Sequence, residues 1–467
     1  MSNVAHKWLV VLSVLFGTFT VILNNSMLNP VLPEFMYIFD SDAVGVSWIL
    51  TIFMIAMGMT MPLTGYLGDR FGKKSVYIIG LCLFMTGSIL GALSQTLSMV
   101  IIARAIQGIA GGLMMPNAMA LIFNAFPKNE RGFAVGIYGI SVMIAPAIGP
   151  TIGGIIAEGF NWVFLFLVNI PFALLSLMFS IKYLKPTQAN PDLKFDFIGF
   201  IMVTIGVGSV LYVLGQGREI DAFMNFNNAV IFLVGFTMIL VFIRYELKKE
   251  QPLLNLRIFK IKTYRYSILV TSAASIGLFS ALFLLPYLIQ EAFEMGMVAT
   301  GLVFLPSALA SGLFMSIGGK LLDKKGPKVV IPTGLALLSA ASLAFGFVEL
   351  TTAFWVIIVI NIVHGLGLGF GNMPATTAGM NSIPDHLVAQ GSAMNNLIRQ
   401  FASSLGIVFF SVYYEIRRGN MMLLNEMSTQ EATLQALNEA FIIAAIIIAL
   451  AIPAALRMKG VQDEPSN

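Results

Sequence analysis

Long apolar stretches separated by short polar segments recur along the whole chain. Each is close to the roughly 20 residues that an α-helix needs to cross a bilayer. The pattern therefore predicts an all-α polytopic membrane protein with 14 transmembrane helices. The stretches lie at about 8–33, 44–66, 75–94, 98–123, 132–157, 162–184, 196–216, 228–246, 265–289, 299–322, 330–348, 353–376, 390–414 and 439–458.

The composition supports this prediction. Hydrophobic residues make up 57% of the 467 residues and charged residues only 11%, which is more apolar surface than a soluble domain can bury. The apolar run after Lys7 leads into NNSMLNPVLP instead of a small-residue cleavage site, so we expect a first membrane helix and no signal peptide. With Cys82 as the single cysteine, no intrachain disulfide is possible.

Lysine and arginine placement predicts the orientation. If the N-terminus is cytoplasmic, 22 of the 27 basic residues fall on the cytoplasmic side, and only Arg104 and Arg399 lie inside predicted helices. This asymmetry predicts an even number of helices and places both termini in the cytoplasm. The basic residues behind the pI near 9.0 are then explained by the orientation of the chain in the membrane, so we expect no nucleic-acid partner.

An internal repeat divides the chain. GYLGDRFGKK at Gly65–Lys74 reappears as GKLLDKKGPK at Gly319–Lys328, an offset of 254, and Gly108 matches Gly365 at an offset of 257. We expect two parallel six-helix halves, residues 1–184 and 260–467, with an inserted helix pair in 185–259. Parallel halves suit a rocking transporter with a substrate site between them, although duplication also occurs in proteins that transport nothing.

The fifth predicted helix has a face of small residues. Ala145, Gly149 and Gly153 recur every four residues, which lets another helix approach closely. Pro146 and Pro150 follow the same spacing, and each proline leaves the carbonyl four residues earlier without its helical donor. The spacing predicts close packing and a bend.

These features resemble the major facilitator superfamily, in particular its fourteen-span drug:proton antiporter branch. The resemblance implies the superfamily fold and a proton-coupled multidrug efflux transporter, a monomer without cofactor or metal in a bacterial cytoplasmic membrane. Its substrates would be small amphipathic molecules, exchanged for protons across the lipid bilayer. The matching residues are Gly65, Asp69, Arg70, Gly72, Lys73, Lys74, Arg104, Gln107, Gly108, Gly149, Pro150, Gly153 and Gly154.

The resemblance also implies residue roles. Asp69 and Arg70 would form an inner gate, with Asp323 as the repeat equivalent of Asp69; Arg104 would act in proton coupling. The run from Gly149 to Gly154 would pack helices during alternation. One position departs from the pattern, because Asn24 stands where many relatives have an aspartate. The usual proton carrier is therefore missing.

Other proton carriers must then be considered. None of the 23 acidic residues falls at the middle of a predicted helix. Glu34 is the first candidate because it ends the helix that faces Arg104, although a solvated surface glutamate is an equal alternative. His364 lies near mid-membrane at the repeat position of Gln107, and its ordinary pKa near 6.5 suits a charge change near neutral pH. An ordinary interior histidine is the alternative.

Polar residues in the predicted helices suggest a central cavity that is basic or neutral. Such a cavity would favour neutral, zwitterionic or anionic amphiphiles over permanent cations. Arg104 has an alternative structural role, in which it binds backbone carbonyls. The expected cavity residues are Asn24, Asn25, Asn29, Gln107, Asn361, Asn395 and Arg399.

Other functions stay open at this point. A dedicated exporter of an endogenous lipid, peptide or metabolite would share every motif. An intramembrane enzyme would need convergent catalytic groups that two arginines and one histidine do not supply. A membrane-embedded receptor would need a soluble sensory domain, and the longest predicted non-spanning segment, about 415–438, is too short for one.

Overall fold

The computed structural model describes residues 3–28, 31–41, 43–187, 189–216, 225–424 and 428–460, and these ranges contain helices and no β-strand. The long helices alternate in direction. They are α1 Asn3–Met27, α2 Ala43–Phe71, α3 Lys73–Ala92, α4 Leu97–Ala125, α5 Arg131–Gly159, α6 Asn169–Tyr183, α7 Phe197–Gln216, α8 Phe226–Lys248, α9 Lys262–Tyr287, α10 Met297–Lys325, α11 Pro327–Phe345, α12 Phe354–Asn381, α13 Val388–Leu424 and α14 Thr429–Ala449.

The predicted membrane helices are confirmed. Thirteen helices among the described residues are long and apolar enough to cross a membrane. The glycine-rich α5, with 29 residues, adds the fourteenth. Every predicted window coincides with one of these helices.

The described residues of the predicted non-spanning segment, 415–438, are mostly helical. α13 continues to Leu424, and α14 begins ten residues before its predicted window. Ser428 and Glu431 form a capping box that starts α14, and Arg417 Nε donates to Glu439 Oε2 over 2.7 Å to join the two extensions. Hydropathy alone misses these turns because they are polar.

Equivalent contacts in the two halves follow the sequence repeat. A Cβ added to Gly108 of α4 would lie 2.4 Å from the backbone oxygen of Phe53 in α2. A Cβ added to Gly365 of α12 would lie 2.3 Å from the oxygen of Ser307 in α10. The α2–α4 crossing of the first half therefore recurs as the α10–α12 crossing of the second.

The two halves meet at their inner ends, the ends predicted to be cytoplasmic. Gly132 of α5 and Gly319 of α10 touch backbone to backbone, and one hydrophobic cluster there contains residues of both halves. At the outer ends, the described apolar residues form separate clusters, one around Phe35 and one around Phe441. The described part of the molecule is thus closed on the inner side.

The inserted pair lies along a seam between the halves. α7 and α8 pack through Gly206 and Gly235. α7 also contacts α2, where a Cβ on Gly208 would lie 3.0 Å from Met59 Sδ, and α13, where Val210 packs with Val408. α7 therefore touches both halves at once.

Candidate functional site

Arg104 is completely buried and bound on all sides by neutral acceptors. Its Nε donates to the backbone oxygen of Ile49 over 2.9 Å, and Nη2 donates to Asn25 Oδ1 over 2.8 Å. Nη1 donates to Gln107 Oε1 over 2.9 Å and to Asn24 Oδ1. The guanidinium therefore joins α4 to α1 and α2.

In the described part of the chain, no carboxylate is among the hydrogen-bond partners of Arg104. Phe53 adds a ring whose centroid lies 4.2 Å from the guanidinium carbon, a favourable cation–π geometry. Glu34 lies on a short helix, Leu32–Ile38, and forms no hydrogen bond with any described residue. Asn29, the other expected neighbour, lies outside the described residues. Arg104 thus combines the structural role with a fixed positive charge near the outer side.

The equivalent site in the second half lacks an arginine, with Asn361 at the position of Arg104 and His364 at that of Gln107. Asn361 Nδ2 donates to the backbone oxygen of Val303 over 2.9 Å, which repeats the bond between Arg104 and Ile49 at offsets of 257 and 254. His364 is 2% exposed and bonds the backbone of Gly277 in α9. Its Nε2 has no hydrogen-bond partner among the described residues. His364 therefore lies within the second half and not opposite Arg104.

A small cavity lies between the halves. It measures about 20 Å³, enough for a water molecule but not for a drug-sized ligand. Arg399 is the one charged side chain in its wall, and methionines from both halves contribute to it. The wall residues are Met115, Met119, Tyr138, Val142, Met373, Thr376, Ser392, Asn396 and Arg399.

The expected cavity residues thus separate into groups. Arg399 faces the cavity, and its Nε has no hydrogen-bond partner in the described part of the chain. Asn395 instead accepts from Thr271 Oγ1 over 2.9 Å and donates to Thr376 Oγ1 over 3.3 Å, inside the second half. Arg104 binds three further expected cavity residues, Asn24, Asn25 and Gln107, which therefore do not line the cavity. The predicted residues do not form one common polar cluster, because the rotation of each helix about its axis turns their side chains in different directions.

Asp323 joins the halves at the inner face. Its two oxygens accept from the backbone amides of Gly132 and Phe133, each over 3.0 Å. These amides belong to the first turn of α5, where helix donors lack partners and the helix dipole favours a negative charge. A carboxylate of the second half therefore caps a helix of the first.

Asp69 occupies the repeat-equivalent position and also contacts the opposite half. Gln390 Nε2 of α13 donates to Asp69 Oδ2 over 3.2 Å, and Lys73 Nζ lies 3.6 Å from Asp69 Oδ1. Arg70, expected beside Asp69 in the gate, instead donates to Tyr66 Oη over 3.0 Å and to the backbone oxygen of Leu193. Arg70 thus holds the linker that leads to α7.

Arg131 is an inner contact that sequence reasoning missed. Its side chain is 4% exposed and pairs with Asp385 of the second half over 3.1 Å. It also donates to the backbone oxygens of Phe123 and Phe126 over 2.8 and 3.1 Å. In the sequence, Arg131 was one cytoplasmic charge among many, and no local pattern marks it as buried.

The small-residue face of α5 packs against α1. A Cβ on Gly149 would lie 2.5 Å from Ser26 Cβ, and one on Gly153 would lie 2.2 Å from the oxygen of Met27. Ser26 Oγ donates over 3.0 Å to the oxygen of Pro146, which Pro150 leaves without its helical donor. Gly154 has no atom within 4 Å of such a Cβ. The side chain of Pro150 lies outside what the structure describes.

Parallel halves that meet through charged inner contacts are typical of membrane transporters. A model of the Major Facilitator Superfamily matches residues 14–407, and the chain belongs to this superfamily. It is a multi-pass membrane transporter and not an enzyme.

Known proteins similar to this chain are named as transporters or as a drug-resistance protein. The uncharacterized MFS-type transporter YcnB of Bacillus subtilis is 31% identical over 93% of this chain and 91% of its own length. The lincomycin resistance protein LmrB of Listeria monocytogenes is 28% identical over 85% of this chain and 84% of its own. The riboflavin transporter RibZ of Clostridioides difficile is 28% identical over 88% of each. The human organic anion transporter MFSD10 shares the fold with a TM-score of 0.65 at 15% identity, covering 95% of this chain and 99% of its own.

Proposed function

We propose that this transporter exports drug-like amphipathic molecules across the cytoplasmic membrane in exchange for protons. The observation that carries the proposal is the pair of inner carboxylates, Asp69 and Asp323, each bonded to the opposite half. Hydrogen bonds of this kind can break and re-form as the halves rock about a central site. The closed inner side is then one end of an alternating-access cycle.

The strength of these contacts suits a reversible gate. A charge at a helix N-terminus contributes about 0.3–2 kcal/mol, so the capping of α5 by Asp323 is weak enough for substrate binding to shift the equilibrium. We propose that Asp69, Asp323 and the Arg131–Asp385 pair open together when the inner face opens. In this proposal Arg70 moves together with the linker that leads to α7, because it is bonded to the backbone of that linker.

The central cavity is the proposed substrate site. It must expand from its present size, since ligand pockets for drug-sized molecules measure about 300–1,000 Å³. Methionines 115, 119 and 373 give it an adaptable apolar wall, and Arg399 gives it a positive charge. The proposed substrates are therefore neutral, zwitterionic or anionic amphiphiles, not permanent cations.

Proton coupling is proposed to use the carboxylate of Glu34, on the short helix Leu32–Ile38. His364 is the second proposed carrier, because one nitrogen of its buried ring is unpartnered in the described chain. If these assignments hold, Glu34→Gln and His364→Gln together abolish substrate-dependent proton release. Retained release in the double variant would remove both residues from the proposal and leave export intact.

A dedicated exporter of an endogenous compound is the second candidate. The similarity to a protein named riboflavin transporter favours it as much as the similarity to LmrB favours drug efflux.

We also propose that the chain divides into two halves, residues 1–184 and 260–467, around an inserted helix pair in 185–259. We propose that it functions as a monomer.

A transport survey separates the two candidates. The chain and an Asp323→Ala variant, which lacks the carboxylate that caps α5, are expressed in a host that lacks its own efflux pumps, and growth is measured with chemically varied toxins. Broad protection by the wild type against neutral and anionic amphiphiles supports drug export. Protection against quaternary cations alone would contradict the proposed substrate class, and no protection against any toxin would favour a dedicated substrate.

A further inference from the structure

The inner ends of the inserted helices bring two buried carboxyl groups together. Asp196, just before α7, is 3% exposed, and Glu246, in the last turn of α8, is 1% exposed. They meet over Gly199: a Cβ built there would lie 2.4 Å from Glu246 Oε1 and 2.6 Å from Asp196 Oδ2. Only a residue without a side chain leaves room for this approach.

The two facing oxygens have no hydrogen-bond donor among the described residues outside the pair. Asp196 Oδ1 accepts from Lys249 Nζ over 2.5 Å and from the backbone amide of Gly199 over 3.0 Å. Asp196 Oδ2 and Glu246 Oε1 accept from no other described residue, and their approach over Gly199 brings the two carboxyl groups within reach of one shared hydrogen bond. Two buried carboxylates in contact repel, so this bond requires one shared proton.

The contacts indicate which group carries the proton. Burial opposes ionisation of Asp196, but the hydrogen bonds from Lys249 and Gly199 outweigh it and hold the pKa of Asp196 below its usual value. Asp196 is therefore the carboxylate. Glu246 Oε2 accepts only the backbone amide of Leu254, over 3.3 Å, so Glu246 is the protonated partner.

A chain of hydrogen bonds leads from this pair to the inner gate. Leu254 is followed by Asn255, whose backbone amide donates to Gln390 Oε1 over 2.9 Å. Gln390 then donates from Nε2 to Asp69 Oδ2 over 3.2 Å. The turn at Leu254 and Asn255 thus links the carboxyl pair to a contact between the halves.

The surroundings of the pair are mixed in charge. Tyr245 Oη donates to Asp196 Oδ1 over 3.4 Å and accepts from Lys249 Nζ over 2.8 Å. α13 contributes Gln390 and no charged side chain in its first two turns. Lys248 ends α8, and the remaining charged groups on the linkers 184–196 and 249–261 and on the packed end of α2 are Asp69, Arg70, Lys185, Asp192, Lys194, Glu250, Arg257 and Lys260.

We propose that Asp196 and Glu246 form a proton-binding site that controls the inner gate. The shared proton holds the Leu254–Asn255 turn in place, and the turn holds Gln390 against Asp69. When the proton leaves to the cytoplasmic water, the two carboxylates repel, the turn moves, and the gate contact weakens. In proton-driven export, this site would be where the proton is released on the inner side. This part of the inference rests on the proposed function.

Infrared difference spectroscopy tests the shared proton directly. Purified wild type is expected to show a protonated-carboxyl band that disappears as the pH rises, and Glu246→Gln is expected to lack that band. Glu250→Gln, which changes an exposed neighbour, is the matched control and keeps the band. An unchanged band in Glu246→Gln would overturn the proposal. Asp196→Asn, which also removes the shared proton, repeats the test at the other carboxyl.

Distances between spin labels test the link to the gate. With Cys82 replaced by serine, labels at Ser75 and Lys325, both exposed, report the separation of the halves. In wild type and Glu250→Gln the distance is expected to lengthen as the pH rises, whereas in Glu246→Gln it stays short because the amide still donates to Asp196. A pH response of Glu246→Gln equal to the wild type would overturn the proposal.

The two experiments also separate this site from export itself. A wild type without substrate-driven proton movement, but with a gate that follows the Asp196–Glu246 proton, would refute proton-driven export and support the site. Proton-driven export with a Glu246→Gln gate that still titrates would refute the site alone.

Discussion

Asp323 Oδ1 accepts the backbone amide of Gly132 over 3.0 Å, so a carboxylate of the second half caps a helix of the first. The repeat-equivalent contact, between Asp69 and Gln390, uses a side-chain amide instead of backbone amides. The two inner gates are therefore related by the repeat but differ in chemistry. The Asp323 gate depends on a helix dipole, and the Asp69 gate depends on the position of one glutamine.

Asp323→Asn should open the inner face. The substitution removes the charge that favours the α5 N-terminus, about 0.3–2 kcal/mol, which shifts the closed-to-open ratio by about two- to thirty-fold. Spin labels at Asn129 and Lys325 in a Cys82→Ser background measure the distance. Asp385→Asn is the control, because this carboxylate is 57% exposed and should matter less. Identical distance distributions for Asp323→Asn and wild type would contradict the gate assignment.

Arg131→Gln should destabilise the folded protein. The loss includes charge-assisted bonds to Phe123 and Phe126, and one such bond is worth about 1.5–3 kcal/mol. Thermal unfolding in detergent measures the change. Lys7→Gln removes an ion pair to Glu130 whose members are 26% and 50% exposed, so it should change the free energy of unfolding by under about 1 kcal/mol. Equal effects of the two substitutions would contradict the buried role of Arg131.

Gly153→Ala should impair the protein far more than Gly154→Ala. The added methyl group at 153 would meet the backbone of Met27, which cannot move aside like a side chain, whereas 154 is open. Overpacking of this kind costs about 1–3 kcal/mol. Melting temperature and transport rate of the two variants provide the comparison. Tolerance of alanine at 153 would show that α1 and α5 do not need this close contact.

Asn24→Asp should add a titratable group to the Arg104 site. The new carboxylate would face Nη1 of Arg104, form an ion pair, and make the outer part of the transporter less positive. Uptake of a quaternary ammonium dye should rise relative to a neutral substrate, and transport should depend more steeply on pH. Asn24→Leu, which removes the acceptor without adding charge, should show neither effect. No change in either measurement for Asn24→Asp would argue against an electrostatic role of this site.

Helix positions could be read from the sequence because each membrane crossing demands an apolar run of a certain length. The polar extensions of α13 and α14 carry no such requirement, although the Ser428–Glu431 capping box is a local signal that could have placed the start of α14. The internal repeat could also be recognised in the sequence. The bond from Arg104 to Ile49 has its counterpart in the bond from Asn361 to Val303, at the offsets of the repeat.

The candidate site was harder to predict because contacts depend on helix rotation. The position of Arg104 inside a predicted membrane helix indicated its burial, but its contacts with Asn24, Asn25 and Phe53 depend on how the helices pack. His364 matched Gln107 in sequence and yet lies against α9. Asp196 and Glu246 are 50 residues apart at the ends of two helices, so no local pattern could join them.

Proton movement in proteoliposomes tests the central claim most directly. Purified protein is reconstituted with a pH-sensitive dye inside the vesicles, and an amphipathic neutral or anionic substrate is added without an imposed gradient. Proton-coupled export predicts a pH change that appears only with substrate, scales with its transport and is absent in Asp323→Ala. Substrate transport at full rate with no accompanying pH change would contradict it.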